Sequence, residues 1–119
     1  MPMTQKVLDY VKAWNDIPDD EDSFDLQLRA ITNSALAKLN QLGVGQEVYI
    51  TDENLDTTFD DFFTILDSKM VRAMSIDLVG KLSERDFDNP LTAKKGDNTN
   101  AAIKELEYRI YVKADENYV

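Results

Sequence analysis

The sequence predicts an all-α fold, a small helical bundle of about four helices with one long third helix and an extended or helical C-terminal tail. Three observations predict it. Only four glycines and three prolines punctuate the 119 residues, so long regular elements are expected. Apolar residues recur every three or four positions through most of the chain, the spacing of a helix face. Leu, Ile, Val and Phe together supply 32 residues, more than the roughly 20% below which a chain stays disordered. That is enough for one core of its own, so residues 1–112 are expected to form a single domain and 113–119 a tail.

The first helix is expected from Thr4 to about Ala13, with Val7, Leu8, Val11 and Trp14 on one face and Thr4 as N-cap. Pro18 and the acids after it break the pattern. The second helix spans Ser23 to Leu42. Leu28, Ile31, Ala35, Leu39 and Leu42 form its stripe, Asp22 or Ser23 caps it, and Gly43 sits where a C′ glycine belongs. Residues 44–57 read as a connection in which Val48, Tyr49 and Ile50 form at most a short extended piece. The third helix is expected from Thr58 to about Arg85, about 40 Å long at 1.5 Å per residue. Its stripe is Phe59, Phe62, Phe63, Leu66, Met70, Ala73 and Met74, then Leu78, Val79 and Leu82. Gly80 within it marks a close helix contact or a bend. Asn89-Pro90 and Lys94-Lys95-Gly96-Asp97 mark a polar loop. The last helix starts after Asp97 or Asn98 and runs to about Tyr111, although residues 107–113 also alternate like a strand.

The net charge of −10 is unevenly placed. Residues 14–67 hold thirteen acids against Arg29 and Lys38, a net of −11, whereas from Lys69 onward nine basic residues balance nine acidic ones. The acids cluster at Asp19, Asp20, Glu21 and Asp22 with Asp25, and at Asp52, Glu53 and Asp56 with Asp60 and Asp61. Both clusters fall at expected helix starts, where carboxylates are favoured by the helix dipole. A calcium-loop motif fails at both: from Asp52, Thr57 replaces the central Gly and Phe63 the terminal Glu; from Asp20, Phe24 and Ile31 fall on ligand positions. No metal site and no cofactor are therefore expected.

The chain has no His and no Cys, which excludes imidazole or thiolate metal sites and the Ser-His-Asp and Cys-His nucleophiles. It reads as a non-enzyme. Lys94-Lys95 is the only adjacent basic pair in an otherwise acidic field, so phosphate binding is unsupported. An acidic surface suits instead a channel through which DNA slides, or a DNA mimic that regulates a nucleic-acid enzyme. No apolar stretch is long enough for a membrane span or a signal segment, so a cytosolic protein without membrane contact is expected. Trp14, the Phe59/Phe62/Phe63 group and Met70 with Met74 are assigned to the core. Tyr108, Tyr111 and Tyr118, near the C-terminal end, are candidate interface residues.

The order of features resembles the tailed-phage head–tail connector, or head-completion adaptor, family. The resemblance rests on a short first helix ending in Tyr10-Val-Lys-Ala-Trp14, an acid-rich turn, Ser23-Phe-Asp-Leu-Gln-Leu-Arg-Ala-Ile31, and a second helix through Ala35 and Leu39 to Leu42-Gly43-Val44. A long helix through Met70-Val-Arg-Ala-Met-Ser-Ile-Asp-Leu-Val-Gly80 and a final helical stretch complete it, over residues 4–112. The chain departs from many members at Lys81-Leu-Ser-Glu-Arg85, where those carry an aromatic-rich ending. The resemblance implies a structural virion protein of the neck, present in host cytoplasm during assembly. Its copies would form a ring beneath the portal, usually a dodecamer, with a tail-completion or stopper protein following. Tyr108, Tyr111 and Tyr118 would dock on the portal. Asp19, Asp20, Glu21, Asp22, Asp52, Glu53 and Asp56 would let DNA pass without being held.

Overall fold

The computed structural model describes residues 2–87 and 96–115, and its regular elements there are helices: a 3-10 turn Pro2–Thr4, then α1 Val7–Trp14, α2 Asp25–Gln41, α3 Phe59–Phe62, α4 Lys69–Asp86 and α5 Gly96–Asp115. Helix α4 lies at the centre, packed against α1, α2 and α5. Among the described residues the sole β pairing is an isolated bridge between Lys6 and Thr58.

The first helix begins later than expected. Its N-cap is Lys6, in extended backbone, and not Thr4. The Val7 N–H, one of the donors a helix start leaves unpaired, finds its acceptor 50 residues away, 2.8 Å from the Thr57 carbonyl. Both α1 and α2 end in the same way. Asp16 adopts φ 60° and Gly43 φ 90° after their helices. The next residues, Ile17 and Val44, donate back to Lys12 (2.8 Å) and Leu39 (2.9 Å), and both bury their side chains. These are Schellman stops, each sealed by an apolar residue. Glycine was expected at the second; at the first, Asp16 takes a left-handed conformation that costs a non-glycine residue roughly 1 kcal/mol.

The long third helix does not form as one element. The chain leaves α3 at Phe63, whose ψ of 154° is extended, and re-enters a helix only at Lys69. Thr58 and Asp61 make a capping box at the start of α3, and the Ser68 hydroxyl caps α4 by accepting from the Val71 N–H at 3.2 Å. Between them the buried Asp67 carboxylate accepts from the Thr64 N–H (2.9 Å) and the Gly45 N–H (3.0 Å). Arg72 donates to the carbonyls of Thr64 (2.7 Å) and Asp67 (2.9 Å). The break resets the helical phase. Phe59, Phe62 and Phe63 are buried as expected, but α4 turns Val71, Ser75, Leu78, Val79 and Leu82 inward. Leu66, Met70 and Ala73, assigned to the core by a continuous helix, are exposed instead, Met70 at 56%.

Gly80 marks a close contact rather than a bend: a Cβ there would overlap the Trp14 ring. Residues 44–57 form no strand. The Asn33 side chain from α2 both accepts from the Ile50 N–H (2.8 Å) and donates to its carbonyl (2.9 Å), replacing a partner strand. Gly45, at φ 73°, is forced by the Phe62 ring lying where its Cβ would be. The last helix starts at Gly96, keeps residues 107–113 helical, and runs to Asp115 with Ala114 buried. Asn89-Pro90 and Lys94-Lys95 lie outside the described residues.

Candidate functional site

The two acidic clusters, 30 residues apart in sequence, converge on one cleft. The turn before α2 brings Asp19 and Asp22, the 52–56 loop brings Asp56, and the cavity between them measures about 540 Å³. Its apolar lining is Leu8, Leu26 and Leu55, and its cations are Lys6, Lys12 and Arg29. Lys6 Nζ lies 2.9 Å from Asp56, Lys12 Nζ 2.8 Å from Asp25, and Arg29 Nη1 2.7 Å from Asp52. The hydrogen bond and charge of Asp56 hold the Lys6 ammonium pKa above its ordinary value. Glu21 faces another job: it accepts from the Ser23 hydroxyl (2.6 Å) and N–H (3.0 Å), and these bonds hold its carboxyl below the usual range. Asp20, Asp52 and Glu53 remain exposed beside the cleft.

The expectation that these acids start helices holds only in part. Helix α2 begins at Asp25, after the first cluster, with Phe24 as an N-cap that makes no side-chain capping bond. Helix α3 is a single turn, with Asp60 and Asp61 in it. Among the described residues no group of three carboxylates is gathered as a cation cage.

Tyr108 and Tyr111 lie on α5 with Val112, three and four residues on from Tyr108, so all three share one face. Tyr108 is 69% exposed, and Tyr111 and Val112 are also open to solvent. The opposite face buries Ile103, Ile110 and Ala114. Tyr118 lies outside the described residues. Lys38 of α2 reaches Glu107 of α5 at 3.5 Å across a second groove, of about 330 Å³, where α2, α4 and α5 meet.

Sequence reasoning missed the other exposed apolar group, Ile65, Leu66 and Met70. Ile65 and Leu26 fall outside every apolar stripe, which was a usable signal. Leu66 and Met70 gave the opposite signal, because they fit a helix that is interrupted. The counter-charges of the cleft were missed because Lys6 and Lys12 lie before the acidic region in sequence.

Among the described residues no helix is long and apolar enough to cross a membrane. Comparison with curated proteins and with solved structures gives no match. A family model described as phage connector protein matches residues 7–117, from the first residue of α1 to beyond the end of α5. The match covers nearly the whole chain and includes the cleft apart from Lys6, the interrupted helix, and Tyr108 and Tyr111. The family is structural and its members are neck components of the virion that assemble with other head and tail proteins. With a helical fold and this extent of match, the chain belongs to the phage connector protein family.

Proposed function

We propose that the chain is a head–tail connector whose copies close into a ring beneath the portal, with the portal's dodecameric symmetry, and extend the channel through which DNA passes. The observation that carries this reading beyond family membership is α5. One face of it is fully committed to the core, while Tyr108, Tyr111 and Val112 present an unused aromatic face near the C-terminal end. Aromatic residues in such a position supply large contact area at low entropic cost, as interfaces require. On this reading Tyr108, Tyr111 and Tyr118 dock on the portal. A tail-completion or stopper protein binds the ring's far side. Asp19, Asp20, Glu21, Asp22, Asp52, Glu53 and Asp56 are the candidates to line the channel, where negative charge keeps phosphates from sticking. Assembly takes place in host cytoplasm before the protein joins the virion.

A DNA mimic would need an array of free carboxylates, and the ion pairs of Asp25, Asp52 and Asp56 with Lys12, Arg29 and Lys6 argue against one. Native mass spectrometry, of the protein alone and with portal, tests the ring. Higher-order species are expected with portal present; a strict monomer that never binds portal refutes the reading. Replacing both Tyr108 and Tyr111 by Ser should leave the fold intact and weaken portal binding at least ~10-fold. Unchanged affinity would place the portal contact elsewhere.

A further inference from the structure

We propose that the Ile65–Leu66–Met70 tip of one copy seats in the Leu8–Leu26–Leu55 cleft of the next, a proposal that rests on the ring reading above. Ile65 is 95% exposed, with Leu66 and Met70 beside it also open to solvent. An isoleucine so exposed on a loose loop would need no account, but this loop is fixed. Directly after the two exposed residues, Asp67 turns inward and binds the backbone of Thr64 and Gly45, and Arg72 holds the carbonyls of Thr64 and Asp67. The apolar pair is thus held outward before any partner arrives, which lowers the ordering cost of docking.

The cleft is the matching surface. Leu8 forms its floor, and the exposed Leu26 and Leu55 its walls. The charges also match. Lys69 is exposed next to Met70 on the tip, while Asp9, Asp19, Asp22, Asp25 and Asp56 outnumber Lys6, Lys12 and Arg29 in the cleft lining, which leaves it net negative. Position supplies the last argument. Leu26 lies in the first turn of α2, whereas the tip is tied to Gly45, just past the other end of α2. Seventeen residues of helix separate the two ends by about 25 Å. Two distinct complementary patches, one by the start of α2 and one tied to the chain just past its end, make a head-to-tail contact, the kind that closes into a ring when its rotation permits.

The chain has no cysteine, so a pair of introduced ones reports this contact alone. Full-length protein carrying both Leu26→Cys and Ile65→Cys is assembled with portal, oxidised and run without reductant. A ladder of covalent multimers is expected, with each single variant remaining monomeric. If native mass spectrometry shows rings of the double variant but oxidation gives no ladder, this contact is wrong and the ring reading survives. If no higher-order species forms with portal, both fail together. Because Ile65 is solvent-exposed, Ile65→Asp should fold and melt like the parent yet lose self-association at least ~10-fold. Undiminished assembly of Ile65→Asp overturns the proposal.

Discussion

Replacing Asp67 by Ala removes the group that interrupts the third helix. Asp67 is 7% exposed, and its Oδ2 accepts from the Thr64 N–H at 2.9 Å, the Gly45 N–H at 3.0 Å and, more weakly, the Thr64 hydroxyl at 3.3 Å. A hydrogen bond to a charged group contributes about 1.5–3 kcal/mol, and a donor left buried without one costs about 1–3 kcal/mol. Thr64 is only half-buried, so water recovers part of its share, and a net loss of about 3 kcal/mol is expected. With an unfolding entropy of about 2.1 cal/mol/K per residue, that lowers the melting temperature by ~12 °C. Asp67→Asn keeps one oxygen to serve the same donors and should lose only about 1 kcal/mol. Thermal and urea unfolding followed by circular dichroism measure both. If Ala and Asn cost the same, or Ala costs under ~1 kcal/mol, the carboxylate does not hold the break. A gain in helical signal with Asp67→Ala would mean that residues 63–68 had joined α3 to α4.

Gly80→Ala gains about 1 kcal/mol of helix propensity but drives its methyl into the Trp14 ring, at an overpacking cost of about 1–3 kcal/mol; a net loss near 1 kcal/mol with altered Trp14 fluorescence is expected, and a more stable variant would contradict the contact. Asn33→Ala strips both backbone partners from the buried Ile50 and should cost about 2 kcal/mol in urea unfolding; a cost within ~0.5 kcal/mol would show that the 44–57 segment is held by other contacts. Asp16→Gly relieves the left-handed residue after α1 and should raise stability by about 0.5–1 kcal/mol, a gain that thermal unfolding can check. Burial, with the charge of Asp77, pushes the Tyr10 phenol up to about 12. The unfolded chain therefore loses this proton near pH 10 while the folded one keeps it, so stability should fall between pH 10 and 12, and Tyr10→Phe should flatten that fall.

Where sequence and structure agree, the determinant is local. The α2 stripe, the glycine stop at Gly43, the buried Phe59, Phe62 and Phe63, and the close contact at Gly80 all follow from periodicity and from what a missing Cβ permits. Where they part, the determinant is a partner distant in sequence. Nothing between Thr58 and Arg85 is a strong helix breaker, and Thr64-Ile-Leu-Asp67 continues the apolar period. What stops the helix is the pull of Asp67 on the Gly45 amide, a contact across 22 residues that forms only once the 44–57 segment is in place. The same holds for α1, whose start is set by the Thr57 carbonyl and not by the threonine nearest in sequence. The exposed tip is the direct consequence: a shift of phase by one residue exchanges Met70 for Val71 in the core.

The acidic excess behaves differently. Its location in residues 14–67 is plain from the sequence, but its effective strength is not, because two of the cations that meet it precede that region. Lys12 is buried and paired with Asp25, and removing the lysine would leave that carboxylate without its counter-charge. The pairs of Lys6 with Asp56 and Arg29 with Asp52 involve well-exposed aspartates, so solvent screens them and they add little to stability. Their effect is on the field and not on stability: they offset part of the negative charge of the cleft, whose lining still carries Asp9, Asp19 and Asp22, with Asp20 and Glu53 exposed beside it. On the ring reading proposed above, a cleft that keeps a negative lining beside its apolar side chains suits a contact with a neighbour's Lys69 and repulsion of a polyanion. Raising salt should therefore screen both the repulsion and the Lys69 attraction while sparing the apolar contact, so assembly that dissolved fully in moderate salt would show that charge and not apolar burial carries the contact.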